Sequence, residues 1–114
     1  MADKRIIAEL GAGAALHGGD YTKAAVRAVH DAIHHSSLTF IRSLGLKAAE
    51  MDVTVTIGVQ QPDKVDAEAV KAVLPHGRVT VKVVHGGLDV PDTDNDDLTV
   101  IASAAVEVRM ALPA

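Results

Sequence analysis

Stretches of strict two-residue alternation constrain this chain more than any other feature in it. Val53, Val55, Ile57 and Val59 alternate with Thr54, Thr56 and Gly58. Val79, Val81 and Val83 alternate with Thr80 and Lys82. Within residues 98–110, Val106, Val108 and Met110 alternate with Glu107 and Arg109. A period of two sends successive side chains to opposite faces of a sheet, so each stretch reads as a strand with one buried face. Residues 6–10, Ile-Ile-Ala-Glu-Leu, read as a further strand at the start of the chain.

Between the strands the period changes. Asp20 is placed to cap a helix running to about His34 or His35. Around Val29, the residues Ala25, Val26, Ala32 and Ile33 share one face. Lys23, Arg27, His30 and His34 gather on a polar flank, and Ala24 and Ala28 form a stripe of small residues on the other. Ser36-Ser37 breaks the pattern, and a short helix is expected over residues 38–46. Pro62 ends the second strand. Asp66 caps another short helix, with Val65 placed to staple against Val70 and with Pro75 and Gly77 as stop signals. His85-Gly86-Gly87 closes the third strand, and the acidic run from Asp89 to Asp97 reads as a loop without structure of its own. The order strand, helix, strand, helix, strand, strand (β-α-β-α-β-β) predicts an α/β two-layer sandwich. Its mixed four-stranded sheet would carry the helices on one face. A length of 114 residues fits one domain.

Composition narrows the partners. Apolar residues make up 48% of the chain but aromatic ones only 2%, Tyr21 and Phe40, so the core must be built from Val, Ile, Leu and Ala. Small side chains bury little area each, and a subunit interface is expected to complete the burial. The chain should therefore form a homo-oligomer, with a trimer favoured. The absence of cysteine excludes disulfides and thiolate zinc sites. A formal charge of −4 and the lack of stacking aromatics argue against nucleic-acid and membrane partners. No signal-peptide run opens the sequence, so the cytoplasm is the expected compartment.

The segment from Gly11 to Asp20 is the candidate site. Gly11, Gly13 and Gly18 would shape a loop between strand and helix and let a ligand approach the backbone. The helix start after Asp20 favours negative charge. His17 is suited to proton transfer near neutral pH. Lys23 would add positive charge, and His85, at another strand end, a second imidazole. Leu16 stands where a dinucleotide fingerprint needs its third glycine, and no Walker lysine follows, so no cofactor is implied. These parts suit a carbonyl or cyclic-amide ligand. The alternative is a non-catalytic structural or assembly subunit, with the Ala24 and Ala28 stripe and the valine strands as its contacts.

Two further patterns carry less. His30 and His34 lie one helical turn apart around Asp31, as in helical zinc sites, but Lys23 and Arg27 on the same flank would repel a cation. The run from Asp89 to Asp97 alternates acids as a calcium loop does. Asp97 stands where that loop needs glycine, and Ser103 where it needs a bidentate glutamate. No metal is expected at either.

The residues Gly11-x-Gly13-x-Ala15-x-His17-Gly18, followed by Asp20-x-Thr22-Lys23-Ala24-Ala25, resemble the G-x-G-x-D-x-H-G signature of the conserved hypothetical family Lin-zero-five-one-two. The stretch from Lys23 to Ser37, the turn from Val83 to Leu88 and the end from Ala104 to Val108 are similar to that family as well. The acidic residue of the signature falls on Ala15 here. In architecture the chain also resembles one repeat of the ring-opening amidohydrolases and the subunit of small trimeric enamine deaminases. That likeness makes Lys23 and Ser103 a pair to test.

Overall fold

The structure, a computed structural model, describes residues 3–34, 51–74 and 77–111. The helix expected over residues 38–46, and Pro75, lie outside the described residues. Strand β1 spans Asp3–Ala15, helix α1 Tyr21–His34 and strand β2 Asp52–Val59. A 3-10 turn at Pro62–Lys64 leads to helix α2, Ala67–Lys71. Strands β3, Arg78–His85, β4, Leu88–Asp92, and β5, Asp97–Ala111, complete the order.

The strands form one mixed sheet of five strands, not the four expected. Its order is β1-β5-β2-β3, with β4 joined to β5. β2 and β3 run parallel, and β5 runs antiparallel to β1, β2 and β4. The long β5 pairs β2 along residues 103–109 and β4 along residues 97–101. β1, β2 and β3 therefore all point the same way, and their carboxyl ends share one edge of the sheet.

Alternation works as the sequence predicts. Val55, Ile57, Val59, Val100 and Ala102 are fully buried, and Val53, Val106, Val108 and Met110 nearly so. Helix α1 packs on this face and touches α2, whose Val70 joins the same core. Both caps form: Asp20 Oδ1 accepts from Lys23 N at 3.0 Å, and Asp66 Oδ1 accepts from Glu68 N at 3.0 Å.

Three expectations are corrected. First, β1 does not end at Leu10 but continues through Gly11 and Gly13 to Ala15. The glycines do not form the turn. They lie in the strand directly beneath α1, where a Cβ on Gly11 would come within 2.5 Å of Ala28 O and one on Gly13 within 2.6 Å of Ala24 O. Second, Ala24 and Ala28 are fully buried against these glycines, so the small-residue stripe is an internal contact and not a surface for another subunit. The alternation of glycine on the strand with alanine on the helix brings the two backbones together. Third, the acidic run is not an unstructured loop. It contains β4 and the turn of a hairpin, in which Asp92 Oδ1 accepts from Asp94 N at 3.2 Å and Asn95 N at 3.3 Å.

The exposed edge of β1 is guarded from above. Asp31 Oδ2 accepts from Ala12 N at 2.9 Å, and Arg27 donates to Ala14 O at 2.7 Å. One turn of α1 thus occupies backbone groups that would otherwise template another strand. No helix among the described residues is long and apolar enough to cross a membrane.

Candidate functional site

The loop after β1 is short, Leu16 to Asp20, and turns on Gly18 and Gly19, at φ 78° and 59°. It is tied to the start of β5 by four bonds. Gly18 N donates to Asp97 Oδ1 at 2.7 Å, and His17 Nδ1 lies 2.8 Å from Asp97 Oδ2. Gly19 N donates to Leu98 O at 3.1 Å, and Thr99 Oγ1 donates to Leu16 O at 2.9 Å. Leu98 N also donates to Asp97 Oδ1, at 2.8 Å. The Gly18 amide first, then His17 and the Leu98 amide, hold the Asp97 carboxyl down from its ordinary 3.8 to about 2.

An ionised carboxylate only accepts hydrogen bonds, so His17 must carry its proton on Nδ1 toward Asp97. Nε2 is then the atom left to take up or deliver a proton. The imidazole side chain is 85% exposed, which leaves Nε2 open to solvent or ligand.

Beside this pair lies a cleft of about 360 Å³, walled by Gly18, Gly19, Tyr21, Gln61, Lys64 and the segment Asp96 to Leu98. Tyr21 opens α1 and is only 3% exposed. Its hydroxyl donates to Asp89 Oδ2 at 2.5 Å and accepts from Gln61 Nε2 at 2.9 Å. Burial first, reinforced by the Asp89 carboxylate, pushes the Tyr21 hydroxyl above its usual value and keeps it a donor. Among the described residues, the buried Asp89 Oδ1 has no hydrogen-bond partner.

The structure sorts the predicted residues. His17 and Gly18 come together with Asp97, and Gly18 lines the cleft. Asp20 caps α1 and stands behind the loop. Gly11 and Gly13 lie under α1, away from any ligand, because the helix backbone occupies the space a ligand would need. Lys23 is exposed on α1 and does not line the cleft; Lys64 does. His85 is exposed at the end of β3, and it too is absent from the cleft wall. Lys23 and Ser103 stand on opposite sides of the sheet, since Ser103 Oγ faces Gly58 on the side that α1 leaves uncovered. Ala15, at the acidic position of the resembled signature, is buried in the core.

The loop amides do not wait for an anion: those of Gly18, Gly19 and Lys23 are all bonded within the chain. Asp97, Tyr21, Gln61 and Asp89 escaped sequence reasoning. Tyr21, as the single tyrosine directly after a helix cap, was the one available signal. Among the described residues, no group of three or more His, Asp or Glu is arranged to hold a metal ion.

The Asp97 carboxylate makes acid sensitivity testable. Its folded value lies below its unfolded one, so its contribution to stability is present above about pH 4 and lost as pH falls through about 2. The gap in melting temperature between wild type and Asp97→Asn should be full at pH about 5 and close by pH about 2. A gap unchanged across that range would contradict the assignment.

No match is found among curated proteins. Among solved structures, the chain is similar to an FtsZ-like protein of unknown function from Nostoc punctiforme. The two are 40% identical over 98% of this chain and 99% of that chain, with a TM-score of 0.85. Residues 5–108 match the conserved hypothetical protein family Lin0512_fam, and with nearly the whole chain covered, the protein belongs to that family.

Proposed function

We propose that the cleft at the carboxyl edge of the sheet binds a small carbonyl or cyclic-amide compound, with His17 as the proton-transfer group. The observation that carries this reading is the His17 Nδ1 to Asp97 Oδ2 contact of 2.8 Å, in which Asp97 lines the cleft and His17 stands just outside its wall. Asp97 fixes the tautomer, and Nε2 acts as base or acid. Lys64 and Gln61 offer donors to a carbonyl oxygen, while Asp96 offers an acceptor to a ring N–H. A cyclic amide presents both groups side by side. The position also supports the reading, since open α/β sheets bind ligands beyond the carboxyl ends of their strands. His17 and Gly18 remain in the proposed site; Lys64 takes the place first given to Lys23.

A thermal-shift screen of lactams, hydantoins and uracil-type rings tests this. At least one class should raise the melting temperature of the wild type, since a ligand that binds only the folded state stabilises it. His17→Ala should lower the melting temperature without ligand only slightly, because its side chain is 85% exposed and the Gly18 and Leu98 amides still hold Asp97. It should lose most of the ligand response. An undiminished response in His17→Ala removes the histidine from the site. No response from any class favours the non-catalytic assembly subunit.

A further inference from the structure

Among the described residues, the helices cover one face of the sheet and leave the other open. Register assigns Leu10, Val84, Leu88 and Val90 to the open face, opposite Ala105, Gly58, Ile101 and Thr99. Leu16 continues the alternation of β1. These five are the large apolar side chains that stand exposed, at 75% for Leu10, 61% for Leu16 and 59% for Leu88, with Val84 and Val90 near half. They all lie on this one face, spread over β1, the loop after it, β3 and β4, where exposed apolar surface marks an interaction site. Between them Ala12, Gly58 and Ser103 keep the surface flat.

We propose that this face docks a second copy of the chain, sheet on sheet, about a two-fold axis that crosses the strands beside Ser103. Charge distribution selects this arrangement. The end of the face at the start of β2 is basic: Arg5, Arg78 and Arg109 outnumber Asp52 and Glu107, with which Arg78 and Arg5 pair. The opposite end carries the hairpin turn with Asp92, Asp94 and Asp96. An axis along the strands would set basic end on basic end. An axis across them sets the acidic turn of each copy against the basic end of its partner. It also lays Leu10 over the partner's β1 near Ala14, and β5 over β5 with Ser103 at the centre.

Size agrees. Four strands at roughly 4.8 Å spacing and about 12 residues of overlap give a face of roughly 19 by 40 Å. That approaches the ~800 Å² per partner of a standard specific interface. The contact is isologous, so it builds a dimer or an assembly of dimers in place of the trimer expected from the sequence. It holds whether or not the cleft binds a ligand.

Sedimentation of the untagged chain from micromolar to near-millimolar concentration tests the face. The wild type should be dimeric or an even-numbered assembly. Leu10→Lys and Leu88→Lys should each shift it to monomer, with wild-type circular dichroism. Lys71→Glu, on α2, should leave it assembled. The chain has no cysteine, so Ser103→Cys is a single unique thiol. A short bis-maleimide should join two copies of that variant, and should fail to join copies of Lys71→Cys. A wild type that stays monomeric or forms a trimer, assembly that survives both lysine substitutions, or a Ser103→Cys chain that does not cross-link would each overturn the proposal.

Discussion

Gly13→Val is expected to leave little or no folded protein. A side chain at Gly13 meets the backbone of α1, with Ala28 N directly in its path, Ala24 O at 2.6 Å and Arg27 C at 2.7 Å. Backbone cannot rotate away as a side chain can. The helix would have to lift from β1, and with it the packing of Ala24, Ala28 and Val29 on the sheet. Overpacking that side chains can absorb costs about 1–3 kcal/mol. A shift of a whole helix costs more, against a total stability of about 5–15 kcal/mol for a domain. Gly13→Ala should already lose several kcal/mol, at least about 3 by this reasoning. Gly18→Ala supplies the contrast. It carries a positive φ of 78° but has open space around it, so it should lose only about 1–2 kcal/mol from the left-handed backbone. Urea unfolding followed by circular dichroism separates the two; a Gly13→Ala midpoint equal to wild type would refute the close packing.

Tyr21→Ala is expected to cost about 3–5 kcal/mol, the usual range for removing a buried aromatic ring. Tyr21→Phe isolates the hydroxyl. It removes the donor to Asp89 Oδ2, and Asp89 Oδ1 already lacks a partner. The half-buried carboxylate would then have no hydrogen bond from the described residues, a loss of about 1–3 kcal/mol. The double variant Tyr21→Phe/Asp89→Leu should lose less than the two single variants together, because it removes the stranded carboxylate along with its donor. Additive losses in equilibrium unfolding would show that the two groups are not coupled.

What the sequence made legible follows from what is local. β2, β3 and β5 are visible because β-branched residues at every second position have no other simple reading. α1 and both aspartate caps are visible because the cap and the periodicity sit within a few residues of each other. The continuation of β1 was hidden: Gly11 and Gly13 are poor strand residues, and only the tertiary contact with Ala28 and Ala32 explains them. β4 was hidden because Pro91 and two acids read as loop, whereas an edge strand bonded on one side tolerates proline. The site divides in the same way. His17 stands out beside its glycines, but Asp97, 80 positions away along the chain, becomes its partner only when β5 returns beside β1. Lys23 and His85 drew notice for their chemistry and lie outside the wall of this cleft.

The pairing of Tyr21 with Asp89 also decides how this molecule can be watched. The chain has no tryptophan and one tyrosine. Excited at wavelengths that Phe40 does not absorb, its intrinsic ultraviolet emission therefore comes from a single ring, and that ring forms part of the cleft wall. A phenol hydrogen-bonded to a carboxylate is an emitter whose yield responds to that bond. Occupation of the cleft, rupture of the Asp89 contact and release of the ring to water would each alter the same signal, without a label and without interference from the rest of the fold.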